Sequence, residues 1–80
     1  MNHWKETYKQ LKELTLKERK FLFKEFVSYN PNWHSETIKM LSLVVVYLHR
    51  QVDVCEEYKV KKQALNRAVR YYKLYLKDVL

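Results

Sequence analysis

The stretch Gln51-Val52-Asp53-Val54-Cys55-Glu56-Glu57-Tyr58-Lys59-Val60-Lys61-Lys62-Gln63-Ala64-Leu65-Asn66-Arg67-Ala68-Val69-Arg70 decides how this chain folds. It fits the frame of two helices set at a steep angle across a short turn. Such a frame needs apolar side chains at its fourth, eighth, tenth, fifteenth and eighteenth places, and a small one at the fifth, where the helices touch. Those places hold Val54, Tyr58, Val60, Leu65 and Ala68, with Cys55 at the fifth. The ninth place, in the turn, favours a left-handed backbone, which glycine or asparagine adopts with little strain. Here it is Lys59, which costs about 1 kcal/mol if that conformation is kept. The spacing predicts a short helix over 51–58, a turn at Lys59 and Val60, and a longer helix from about Lys61 toward the end of the chain. The expected fold is all-α, about five helices in one domain, with a C-terminal helix-turn-helix.

Charge follows the same division. From Lys59 to Lys77 there are seven basic residues (Lys59, Lys61, Lys62, Arg67, Arg70, Lys73, Lys77) and no acidic one. The residues before position 59 hold nine basic and eight acidic side chains, so nearly all of the net +7 sits in the last quarter. At 100° per residue, Leu65, Ala68, Val69, Tyr72, Leu76 and Val79 share one side of the final helix. Lys62, Gln63, Asn66, Arg67, Arg70, Lys73 and Lys77 fall on the other. A concentrated positive field of this kind suits a phosphate backbone, whereas a merely solvated face usually mixes signs.

Working back toward the N-terminus, Trp4, Tyr8 and Leu11 recur at helical spacing and predict a short first helix. Thr15 followed by Glu18 is a capping-box pattern that starts a second helix running to about Tyr29, with Leu16, Phe23, Phe26 and Val27 pointing inward. Asn30 and Pro31 stop it. A third helix is expected from about Ser35. Ile38, Leu41, Val45 and Leu48 fall on one face, and Met40, Leu43, Val46 and Tyr47 cover much of the rest. A helix apolar nearly all round is central, packed from several sides. The β-branched run Val44–Val46 would allow a strand, but the sustained helical spacing favours a helix.

Composition agrees. The 80 residues are 48% hydrophobic and 15% aromatic, with no glycine and one proline, which suits helices joined by short polar links. A core this small is marginal alone, so self-association is expected, with residues 1–33 a possible oligomer interface and 34–80 the helix-turn-helix core. No apolar run is long enough to span a bilayer and no leader peptide is evident, so a cytoplasmic location is expected. Lone Cys55 has no internal partner; a small buried contact residue is the better reading than a redox switch.

The run Val54-Cys55-Glu56-Glu57-Tyr58-Lys59-Val60, with Leu65-Asn66 and Arg70, resembles the PapB-type adhesin-biosynthesis transcription regulators. The likeness covers about residues 34–70, His34-Ser35-Glu36 and Ile38 included, and its most specific piece is Cys55-Glu56-x-Tyr58. Two departures stand out. That family usually has asparagine where Lys59 stands, and a polar, glycine-containing link where this chain reads Tyr47-Leu48-His49-Arg50. The resemblance implies an oligomeric regulator that binds AT-rich promoter DNA cooperatively near a fimbrial operon.

Residue by residue, Lys61, Lys62, Gln63, Asn66, Arg67 and Arg70 occupy the places that such a unit presents to DNA. Gln63 and Asn66 suit adenine edges, Arg67 and Arg70 suit guanine or a narrow minor groove, and Lys73 and Lys77 suit phosphates. Enzymatic chemistry is not expected. Ser28, Ser35 and Ser42 lack a nucleophile elbow, Glu56 and Glu57 diverge by 100° on a helix, and no glycine loop cradles phosphate. His3, His34 and His49 have no second ligand at metal spacing, so neither cofactor nor metal is expected, and no small-molecule ligand. Tyr71, Tyr72 and Tyr75 read as core or interface rather than as base-stacking platforms. The rival reading is a small inhibitor or adaptor that grips an acidic protein partner through the basic last helix; a membrane-surface helix ranks third.

Overall fold

Thr15 accepts the Glu18 backbone N–H on its hydroxyl (3.2 Å), and the Glu18 carboxylate accepts the Thr15 backbone N–H (2.9 Å), so the expected capping box starts the second helix. The bond from the Thr15 backbone N–H foremost, then the Thr15 hydroxyl beside it, hold the Glu18 carboxyl below its ordinary range. The computed structural model describes residues 3–80, with side chains from residue 5 onward. Five helices follow in order: α1 (His3–Glu13), α2 (Leu16–Tyr29), α3 (Ser35–Val45), α4 (Gln51–Tyr58) and α5 (Lys62–Val79). No strand occurs among the described residues. The side chain of Trp4, read as part of the first apolar stripe, lies outside them, as does that of His3.

α2 stops where Asn30 and Pro31 predict. The Asn30 side-chain amide donates to the Phe26 carbonyl (2.9 Å) and its backbone N–H to Val27 (3.0 Å), closing the last turn before the proline. α3 contains Val44 and Val45, so the β-branched run is helical rather than extended. It ends earlier than its apolar spacing suggests. The Val46 and Tyr47 N–H groups both turn back to the Ser42 carbonyl, the His49 N–H reaches Leu43 (2.8 Å), and Leu48 takes a left-handed φ of 61°. Leu48 is therefore in the link, not on the α3 face, and Tyr47 is exposed. Leucine pays strain there that glycine would not, and Leu48 packs against the core in return.

A side chain not singled out by the sequence pattern joins these ends. Arg19, in the first turn of α2, donates from Nε to the Val46 carbonyl (2.7 Å) and from Nη1 to the carbonyls of Leu11 (3.0 Å) and Leu14 (2.8 Å). Helix C-termini leave such carbonyls open and carry partial negative charge. One guanidinium thus ties the end of α1 to the end of α3.

All five helices contribute to a single core, with Leu11, Phe26, Leu41, Val44, Val45, Val54, Leu65 and Leu76 buried in it. α3 is central as expected, with Met40, Leu41, Val44 and Val45 all buried. Besides Tyr47, two expected core residues are not inside. Leu16 and Val79 are exposed, because each sits at a helix end beyond the last packed turn.

Tyr72 is fully buried, with its ring edge-on to Phe26 (4.9 Å, 82°) and tilted against Phe23 (5.9 Å). Its hydroxyl has no hydrogen-bond partner among the described residues, and burial raises its pKa far above the ordinary tyrosine range. An unmet buried hydroxyl costs about 1–3 kcal/mol, so Tyr72→Phe is expected to stabilise the fold. Each kcal/mol gained raises the thermal midpoint of a domain this size by about 4–8 °C. A lowered midpoint would show that the hydroxyl is satisfied after all.

Candidate nucleic-acid interface

The residues read from the sequence as an inward frame are inward. Val54, Cys55, Leu65 and Ala68 are buried, and Tyr58 and Val60 are half-buried against the same core. α4 breaks at Lys59, whose backbone is left-handed (φ 53°, ψ 44°), as the ninth place of the frame requires. The N–H groups of Lys59 and Val60 both close onto the Cys55 carbonyl. Val60 and Lys61 then carry the chain out of α4, and Lys61 (φ −72°, ψ 140°) stands at the head of α5. Because α4 is held through Val54 and Cys55, and α5 through Leu65, Ala68, Val69, Tyr72 and Leu76, the opposite side of α5 is left to solvent.

On that side Lys61, Lys62, Gln63, Asn66, Arg67, Arg70 and Lys77 are all exposed. Lys73 is the exception, half-buried rather than free. Among the described residues none of these cations pairs with a carboxylate of the chain; the ion pair present joins Arg50 to Asp53 at the start of α4 (3.3 Å). Unpaired cations retain their full attraction for an external anion.

The fold does not leave them as one stripe. Lys62 and Asn66 open into a groove shared with Lys5 and Tyr8 of α1 and with His49 and Arg50. Arg67 faces a second groove with Asn32, Trp33, His34, Thr37 and Tyr71. Arg70, Lys73 and Lys77 meet Glu6, Thr7 and Gln10 of α1 in a third. The sequence reading missed Lys5, His49 and Arg50, since nothing in the local pattern links residues so far apart to Lys62.

The remaining chemistry-bearing residues fall into structural roles. Cys55 is buried and unbonded at the contact of α4 with the core. Tyr72 lies in the core; Tyr75 stacks near Phe26 (5.4 Å) and donates its hydroxyl to the Glu25 carboxylate (3.2 Å). Tyr71 is exposed with its ring against Trp33 (5.8 Å, 73°), at the edge of the Arg67 groove. Among the described residues no cluster of His, Cys, Asp and Glu could hold a metal ion, and no helix is long and apolar enough to cross a membrane.

No family model, curated protein or solved structure matches the chain. The candidate interface therefore rests on its own geometry and charge.

Proposed function

We propose that the chain is a DNA-binding transcription regulator that presents α5 to duplex DNA from a helix-turn-helix formed by α4 and α5. One observation carries this. The residues that hold α5 in the core and those that a duplex would meet are on opposite sides of the same helix, directly after a left-handed turn. In this reading Lys61 and Lys62 neutralise phosphates, Gln63 and Asn66 read adenine edges, and Arg67 and Arg70 reach guanine or a narrow minor groove. Lys73 and Lys77 add phosphate contacts farther along the helix. The resemblance to PapB-type regulators extends the proposal to AT-rich promoter DNA of a fimbrial operon, bound by an oligomer in the cytoplasm.

The test is a duplex titration at several salt concentrations. If about five of these cations displace counterions, affinity falls by roughly 500-fold between 50 and 200 mM salt, with further loss as competitor duplex is added. An affinity that ignores salt, or tight capture of an acidic protein with no duplex binding, overturns the reading in favour of an inhibitor or adaptor.

A further inference from the structure

We propose that α1 belongs to the duplex-binding surface, and that the seam between α1 and α5 is a track for the phosphate backbone of one DNA strand. This rests on the DNA-binding reading and adds to it a second element and three residues from outside α5. The groove that holds Lys62 and Asn66 is walled by Lys5 and Tyr8 of α1 on one side and by His49 and Arg50 of the α3–α4 link on the other, and encloses about 680 Å³. Lys5, His49, Arg50 and Lys62 are all exposed, so three separate segments present cationic or protonatable groups to one channel.

A second groove lies on the other flank of α1. Farther down α5, Arg70, Lys73 and Lys77 face α1 across a groove whose α1 wall is Glu6, Thr7 and Gln10. The first groove carries Lys5, Lys62 and Arg50, the last paired with Asp53, and no acidic residue in its lining; in the second, Arg70, Lys73 and Lys77 face Glu6. A phosphate backbone entering the first groove meets basic side chains from three segments of the chain.

Duplex geometry explains why such a channel would sit there. A helix about 10–12 Å across nearly fills a major groove about 12 Å wide, so the sugar-phosphate backbones that border the groove lie against its flanks. A wall beside that helix stands over one of those backbones. On the Lys62–Asn66 flank that wall is α1, through Lys5 and Tyr8. Its Lys5 reaches the strand beside the base edges that Asn66 would read.

The experiment is a salt titration of duplex binding by Lys5→Gln/Arg50→Gln, beside the unsubstituted chain and a matched control, Lys24→Gln/Lys39→Gln, whose residues are exposed on α2 and α3 and line neither groove. Losing two phosphate contacts should flatten the slope of log affinity against log salt by about 1.8, so that the variant's affinity loss from 50 to 200 mM is about twelvefold smaller. The control should keep the original slope, and circular dichroism should show all three chains equally helical. An unchanged slope in the seam variant, or an equal change in the control, overturns the track while leaving α5 as the DNA-binding helix. Failure of the unsubstituted chain to bind any duplex overturns both readings together.

Discussion

Arg67→Ala/Arg70→Ala is expected to lose at least about 30-fold in duplex affinity while keeping its full helical content. A well-formed base contact from an arginine contributes about 1–3 kcal/mol of discrimination, so two together set the range at about 2–6 kcal/mol. Neither side chain supports the fold. Both are exposed, neither has an ion pair among the described residues, and alanine has the higher helix propensity at both sites. The stability effect and the binding effect therefore separate cleanly. A mobility-shift titration against AT-rich and random duplex should show the greater loss on the preferred sequence. Duplex affinity equal to that of the parent chain would remove this face of α5 from the interface, whatever the remaining lysines do.

Arg19→Met is expected to destabilise the fold by about 3 kcal/mol or more, the largest stability effect of any single polar side chain in the molecule. Hydrogen bonds from a charged donor contribute about 1.5–3 kcal/mol each, and this guanidinium makes three, to Leu11, Leu14 and Val46. They join the end of α1 to the end of α3 through carbonyls at the two helix termini. For a chain of this length the total stability is about 4–12 kcal/mol at the usual per-residue figure, so the loss is a large share of it. Urea unfolding monitored by circular dichroism measures it directly. Arg19→Lys should recover only a small part, because a single ammonium cannot span three carbonyls that a planar fork meets at once. A midpoint for Arg19→Met within about 0.5 kcal/mol of the parent, the range of ordinary surface substitutions, would show that the three bonds contribute nothing net.

Much of the architecture was legible before any coordinates, and for local reasons. Thr15 and Glu18 specify a helix start through bonds spanning three residues, and Asn30 with Pro31 specifies a stop. The bounds of α4 follow from Val54, Cys55 and Tyr58 on one side and Lys59 on the other. Local spacing misleads where it runs past a helix end. Val46, Tyr47 and Leu48 continue the apolar rhythm of α3, yet the backbone leaves the helix there, because Arg19 takes the Val46 carbonyl and the chain must turn to bring α4 onto the core. Leu16 and Val79 obey the right periodicity at helix ends where no neighbouring helix remains to cover them.

The candidate interface divides in the same way. Which α5 residues face outward was written in the 3.6-residue repeat, since Leu65, Ala68 and Tyr72 must be buried and the cations between them cannot follow. The company those cations keep was not. That Lys5 stands across a groove from Asn66, that Lys73 is half-covered, and that Arg19 closes two helix ends depend on how α1 and α2 pack on the later helices. Periodicity and caps are properties of neighbours along the chain, held by bonds three or four residues long. Grooves and clamps between distant segments arise only when one shared core forces those segments together.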